Sequence, residues 1–225
     1  MYKIILSVLI ILNAGSTFAN DKFIFLGFGE IPIMSDSFKP SFGMGKKFPN
    51  SELGVYIQLD DSIERNDESF NAEFGQEGLS TSREEVGERL MLQYKHYPLE
   101  NYFYFSLGLM YGGGDKESMT FDSRNRLVGT NYYNTNLNVT IERKAAVKPI
   151  VGLGLSYPLT KNFKILTDFT MDWFTGVADA DISISSSASI SSQDRAALKE
   201  DILDNFKSSF HNRYHVFNIG IQYDF

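Results

Sequence analysis

Apolar and polar side chains alternate in stretch after stretch of this chain. In the closing segment Phe217, Ile219, Ile221, Tyr223 and Phe225 share one parity, and Asn218, Gly220, Gln222 and Asp224 the other, with Val216 the apolar exception. A period of two puts the two sets on opposite faces of a β-strand. The same period runs through Val147, Pro149, Val151, Leu153, Leu155 and Tyr157 against Lys148, Gly152, Gly154 and Ser156. Further strands oppose Phe163, Ile165, Phe169, Met171 and Trp173 to Lys164, Asp168, Thr170 and Asp172, and Leu90, Leu92 and Tyr94 to Arg89, Gln93 and Lys95. In the segment 102–112, Phe103, Phe105, Leu107, Leu109 and Tyr111 oppose Tyr104, Ser106, Gly108 and Gly112. The pattern predicts strands over 23–29, 39–48, 53–59, 88–97, 102–112, 144–157 (starting as early as Asn136), 163–175 and the terminal segment. The first two are apolar on both faces or broken by Gly, so parity assigns them no face.

Three segments repeat an aromatic residue followed by proline: Phe48-Pro49, Tyr97-Pro98 and Tyr157-Pro158, each leading into turn residues and a new strand. Proline fixes φ and donates no ladder hydrogen bond, so each should close a strand and open a tight turn. Three tight turns on one side arrange eight strands up and down. The other connections are long, and they differ: 31–38 is short, 60–85 acidic, 113–133 Gly-rich and then polar, and 179–211 the longest. The last begins with a Ser/Ile run over 182–192 that alternates and extends the seventh strand. It continues into Asp194–Phe206, where Leu198, Ile202 and Phe206 recur at helical spacing behind a Ser or Asp cap. This predicts a short amphipathic helix over the barrel mouth.

Composition sharpens the picture at three points. Lys3, the apolar run Ile4–Leu12 and Thr17-Phe18-Ala19 form the charged, apolar and small-residue parts of a signal peptide, 1–19, with the mature domain over 20–225. No run of the chain is long and apolar enough for a transmembrane helix. The chain has no Cys, which excludes disulfides and thiolate metal sites, and a formal net charge of −7, which argues against nucleic acid as a partner. The 19 Phe, 12 Tyr and 18 Gly suit aromatic-rich strands in close contact. Aromatics also gather at the predicted turns: Phe48, Tyr97, Tyr102, Phe103, Tyr157, Phe163, Tyr223 and Phe225. That clustering reads as an interfacial girdle, with the apolar strand faces turned to lipid and the charged, glycine-rich faces turned inward.

With eight strands, aromatic-Pro turns, a signal peptide and a terminal Phe, the chain resembles the small eight-stranded outer-membrane proteins, the OmpA/OmpX/OmpW-like group. The residues that carry this most specifically are Lys148-Pro-Ile-Val-Gly-Leu-Gly-Leu-Ser-Tyr157 and the closing strand, where Tyr223 and Phe225 resemble the signal read by the outer-membrane assembly machinery. The resemblance implies an all-β fold, an eight-stranded antiparallel up-and-down transmembrane β-barrel with long external loops, in the outer membrane of a Gram-negative bacterium. It also implies outer-membrane lipid and lipopolysaccharide as neighbours, and a monomer. It does not imply one activity, because the group includes structural, adhesive and solute-transporting members.

Candidate chemistry lies first in the inward charges. Asp60, Arg89, Lys95, Lys148, Lys164, Asp168, Asp172 and Asp224 are expected inside the barrel. An eight-stranded barrel is just wide enough for side chains to fill, and both signs occur in similar numbers, which favours an ion-paired plug over a conducting path. His96, His211 and His215 are the only histidines, and none stands in a His-x-Ser motif, so no catalytic residue is assigned. The acidic residues Asp60, Asp61, Glu64, Asp67 and Glu68 lack the spacing of a calcium loop, so neither metal nor cofactor is expected. The leading expectation is a non-enzymatic protein that meets an extracellular partner through its loops. The alternative is a narrow conduit for small or hydrophobic solutes.

Overall fold

The computed structural model describes residues 21–29, 39–65, 78–99, 102–173, 180–208 and 214–225. Eight strands form a closed barrel: β1 (Lys22–Gly29), β2 (Lys39–Phe48), β3 (Ser51–Gln58), β6 (Arg89–Leu99), β7 (Phe103–Gly112), β10 (Ala146–Pro158), β11 (Phe163–Asp172) and β13 (His215–Asp224). Their order around the ring is β1-β13-β11-β10-β7-β6-β3-β2, with every neighbour antiparallel and β2 returning to β1. The seam joins the first and last strands. Phe23 lies opposite Asp224, and Lys22 and Phe225 exchange two backbone hydrogen bonds of 3.1 and 2.9 Å. These are the eight strands that the sequence predicts from its turns and its two-residue period, with ends shifted by a few residues. The predicted signal peptide, the loop 31–38 and His211 lie outside the described residues.

The barrel is apolar on its outside. Leu26, Leu107, Leu109, Leu153, Leu155 and Ile221 are each about half exposed, whereas Lys95, Gln93, Asp168 and Thr170 are buried within. Exposed apolar side chains over strands of about ten residues suit a hydrocarbon surroundings, where only closed barrels and helices satisfy every backbone group. Among the described residues no helix is long and apolar enough to cross a membrane.

The first two strands now acquire faces. Phe23 and Phe25 point inward and are almost wholly buried, while Ile24 and Leu26 point outward. The reason is the glycines. A Cβ at Gly54 would come 2.8 Å from the Phe23 ring, and one at Gly220 2.7 Å from the Phe25 ring. The inward glycines leave the volume that the lumen aromatics fill, an aromatic-on-glycine packing that also pins register.

The tight turns all sit at the end that carries the termini. Pro49 opens the turn between β2 and β3, and Pro158 closes β10. Pro98 lies in the last residues of β6, where the pairing with β7 shifts register between His96 and Leu99. Exposed Phe48, Tyr102, Tyr157, Phe163 and Phe225 form a rim there, with Tyr102–Tyr157 rings 6.4 Å apart and Phe163–Tyr223 rings 4.8 Å apart. Tyr97 is the exception to the predicted girdle. It shares the parity of Met91, Gln93 and Lys95 and is buried in the lumen.

The long connections at the opposite end form a second layer. Strands β4 (Asp61–Arg65), β5 (Leu79–Val86), β8 (Asp115–Val128), β9 (Asn131–Arg143) and β12 (Ala180–Ser186) make a five-stranded sheet in the order β12-β9-β8-β5-β4. The sequence reads β4, β5 and β8 as loop, and reads part of β9 and the Ser/Ile run of β12 as continuations of the sixth and seventh barrel strands; the structure puts all five in a separate sheet. Helix α1 (Ser192–Ser208) packs on β8 and β12. Its Leu198 and Ile202 complete a core with Met119, Phe121, Leu137, Val139, Ile141 and Ile182. The helix thus lies on the external sheet, and the side chain of Phe206 is outside the described residues.

A charge placed on the lipid face should be costly and one on the external sheet should not. Leu107→Arg should destabilise the folded barrel by about 2–4 kcal/mol, the range for a basic residue near the bilayer midplane. Leu127→Arg, on the external sheet, should leave the barrel unchanged. Urea unfolding in lipid vesicles, read by the gel-mobility difference between unheated and boiled samples, distinguishes them.

Candidate functional site

The lumen holds three polar layers. At the turn-side mouth, Glu52 accepts hydrogen bonds from the Tyr97 hydroxyl (2.8 Å), Gln222 (3.0 Å) and Lys164 (3.1 Å). Asp224 accepts from Gln222 (2.9 Å) and pairs with Lys47 (2.5 Å) and Lys164 (3.1 Å). Lys164 therefore bridges the two carboxylates. A cavity of about 480 Å³ opens beside them, lined in part by Lys47, Glu52, Tyr97, Ser156, Lys164 and Asp224.

At mid-barrel, Lys95 pairs with Asp168 at 3.1 Å and lies over the rings of Tyr56 (4.3 Å) and Tyr104 (4.8 Å). Asp168 also accepts from the Tyr104 hydroxyl (2.8 Å) and the Thr170 hydroxyl (2.5 Å), and Gln93 donates to Thr170 Oγ1 (2.7 Å). One cation, one carboxylate, their hydrogen-bond partners and two aromatic rings fill this cross-section. A buried charge survives only when paired and hydrogen-bonded in this way. Below and above it pack Phe23, Phe25, Met91, Met110, Ile150 and Leu166.

At the junction with the external sheet, Asp115 receives Arg89, whose Nη2 lies 2.7 and 2.8 Å from its two carboxylate oxygens, and also Arg143. The two guanidinium groups lie over the Tyr214 ring, at 4.8 and 4.2 Å from its centre. The Tyr214 hydroxyl donates to the Lys144 carbonyl at 2.7 Å. Arg89 further donates to the carbonyls of Gly87 (2.9 Å) and Gly113 (3.2 Å). A planar guanidinium suits such use, stacking on a ring while its N–H groups serve a carboxylate and carbonyls at once.

Of the charges expected inside, Arg89, Lys95, Asp168, Asp172 and Asp224 are buried there, and Lys164 sits at the mouth. Lys148 is half-buried at inward parity. Asp60 is a correction. β3 ends at Gln58, and Asp60 falls in the exposed link to β4, outside the barrel. Glu52, Lys47, Asp115 and Arg143 were missed. Glu52 and Lys47 share the inward parity of Tyr56 and Ser41, but Glu52 precedes the predicted third strand by one residue, and Lys47 lies in the second strand, to which parity assigns no face. Asp115 falls in a segment that reads as loop, and Arg143 in the stretch from Asn136 where the start of the sixth strand is open. His96 is exposed near the turn-side rim, and no cluster of metal-binding side chains occurs among the described residues. Asp67 and Glu68 are not described.

Outside the barrel one carboxylate organises the helix. Ser191 caps α1: its hydroxyl accepts from the Asp194 backbone N–H (3.1 Å) and donates to the Asp194 carboxylate (2.8 Å). The first of these is an N-cap bond at the third helical position, and the second holds the capping hydroxyl in place. Asp194 also accepts from the Tyr133 hydroxyl (2.6 Å), the Asn131 amide (2.9 Å) and the Thr130 backbone N–H (3.1 Å). These bonds, Tyr133's first, hold its carboxyl well below the usual carboxylate range. The helix start is thereby tied to the turn between β8 and β9.

The closed ring, the apolar exterior and the filled lumen define the class: the fold is that of the small eight-stranded outer-membrane β-barrels. Neither a protein-family model nor a curated protein sequence matches the chain. Among solved structures, Acinetobacter baumannii CarO2 is similar with a TM-score of 0.63 and 12% identity, over 93% of this chain and 100% of that one. Acinetobacter baumannii CarO is similar with a TM-score of 0.59 and 13% identity, over 94% and 100%. At such identity the likeness is one of fold.

Two consequences can be measured. Lys95→Met strands the Asp168 carboxylate in the lumen and should cost about 3–5 kcal/mol, the usual penalty for breaking a buried pair, seen as a lower urea midpoint. Asp194 has a depressed folded-state pKa, so its contribution is complete at neutral pH. It is lost only in strong acid, as pH falls through that pKa. Amide exchange of α1 should therefore stay slow down to the normal carboxylate range in the wild type. In Asp194→Asn it should be fast already at neutral pH, with barrel amides unaltered in both.

Proposed function

We propose that this chain is a monomeric outer-membrane protein, exported through residues 1–19, whose barrel is a plugged anchor and whose external layer is a contact surface. The observation that carries this reading is the division of cores. The lumen is filled by paired charges and aromatic rings, while the residues beyond the barrel build a second core of their own. A conduit needs an open lumen, and long connections that served only as links would not need a packed sheet and helix. The apolar outer surface supports contact with membrane lipid, and the exposed Phe225 with Tyr223 supports recognition by the assembly machinery. The reading is non-enzymatic and includes neither cofactor nor metal.

The second reading, a narrow conduit for small or hydrophobic solutes, is favoured by the cavity at the turn-side mouth. Ser156 Oγ, which lines it, and Gln222 Oε1 nearby are buried without a hydrogen-bond partner. A path inward from there meets the Lys95–Asp168 layer and then the Arg89–Asp115–Arg143 layer, and both would have to open.

Bilayer recording decides between them. The mature chain, folded in detergent and checked by its mobility shift on heating, should give no discrete current steps. Steps that change with Lys95→Met would overturn the anchor reading and make transport the function.

A further inference from the structure

Four neighbouring barrel strands and four neighbouring external strands stand in the same order, β3-β6-β7-β10 and β4-β5-β8-β9. Each external strand joins the barrel strand beneath it through a link of two residues. The links are Leu59-Asp60 from β3 to β4, Gly87-Glu88 from β5 to β6, Gly113-Gly114 from β7 to β8, and Lys144-Ala145 from β9 to β10. One half of the barrel wall thus rises into the external sheet, and the four links lie side by side across it.

Strand pairing breaks along this line. Gln58 pairs with Arg89 below it, and Asp61 with Val86 above. Arg89 pairs with Gly112 below, and Glu85 with Lys116 above. Gly112 pairs with Ala146 below, and Asp115 with Arg143 above. Two of the links touch: a Cβ at Gly87 would come 2.6 Å from the Gly114 carbonyl oxygen, and the Gly113 N–H donates to the Glu88 carbonyl at 2.7 Å. Below the line is the closed ring, and above it the sheet and α1 share one core. Two packed bodies therefore meet where the ladder lapses. Element-terminal residues with few ladder bonds are the places where the turning of one body on another is absorbed.

One carboxylate clasps the two bodies. Asp115 opens β8, above the line. It takes Arg89 of barrel strand β6, Arg143 at the end of β9, and the backbone N–H of Gly87 at 3.1 Å. Both guanidinium groups rest on the Tyr214 ring, whose hydroxyl holds the Lys144 carbonyl in the fourth link. The side chains of Arg89 and Asp115 are 3% and 12% exposed, so salt screens the pair little.

We propose that this line is a hinge and that Asp115 is its latch. The external sheet and α1 turn as one body on the barrel, and Asp115 holds them at a single angle. The inference rests on the reading of the external layer as a contact surface, and it states how that surface is set. A latched layer meets its partner already ordered, so docking loses no affinity to fixing the angle. A layer without the latch samples a range of angles.

The chain has no Cys, so introduced cysteine pairs carry spin labels without background. The test uses the full mature chain in lipid nanodiscs. One sample is labelled at Thr160, exposed at the barrel turns, and Ser185, exposed on the external sheet; a second is labelled at Ser185 and Lys199, both in the external layer. Electron–electron distance measurements should give one narrow distribution for each pair. Asp115→Asn should widen the Thr160–Ser185 distribution about twofold as further angles become populated, and leave Ser185–Lys199 unchanged. Arg143→Gln, which opens one arm of the latch, should widen it less, and it decides alone if Asp115→Asn lacks the heat-dependent mobility shift of a folded barrel. A Thr160–Ser185 distribution that stays unchanged in the folded variant, that is already broad without it, or that widens equally with Ser185–Lys199 would overturn the hinge. Current steps in bilayer recording together with a widened distribution overturn the anchor reading and leave the hinge standing. No steps and an unchanged distribution do the reverse.

Discussion

Everything in this molecule depends on closing the ring. In hydrocarbon an unpaired backbone N–H or C=O costs several kcal/mol, so the first strand must find the last. The seam between β1 and β13, ended by the mutual bonds of Lys22 and Phe225, removes the only edges the barrel would have. Closure at eight strands then fixes the bore. The interior is one or two side chains wide, and whatever points inward must pack and must neutralise its own charge.

The lumen follows from that limit. Charge is arranged in layers, each with its carboxylate matched to one or two cations and capped by hydroxyl or amide donors. Lys164 serves Glu52 and Asp224, Lys95 serves Asp168, and Asp115 takes both Arg89 and Arg143. Between them the rings of Phe23, Phe25, Tyr56, Tyr104 and Tyr214 occupy space that glycines on adjoining strands leave empty. Glycine content and aromatic content are thus two sides of one packing solution.

Beyond the membrane the constraint changes. Water can satisfy an open sheet, so the external layer keeps its edges and buries only one face. Asp194 takes the place there that the ion pairs hold in the lumen: a single carboxylate ties the start of α1 to the β8–β9 turn. The result is two cores on one continuous set of strands, one serving the membrane and one shaping a surface.

Much of this was legible from residue order. Two-residue alternation marked the last five barrel strands, because lipid outside and a narrow lumen inside force opposite chemistry onto alternate positions, and the first three followed from the turns. Proline after an aromatic residue marked the turns, and parity placed Arg89, Lys95, Asp168, Asp172 and Asp224 inside. Tyr97 shows the same rule outweighing an association with the aromatic rim. Tertiary structure decided the rest. Phe23 and Phe25 face inward only because glycines from other strands make room, which no local pattern reveals. Asp60 lies outside because the strand stops two residues earlier. The external sheet is not legible as a sheet because its polar face meets water and its apolar face needs α1 and the other strands, so the partners that make it are far apart in the chain. The sequence determined which side chains share a face; pairing between distant strands determined what each face meets.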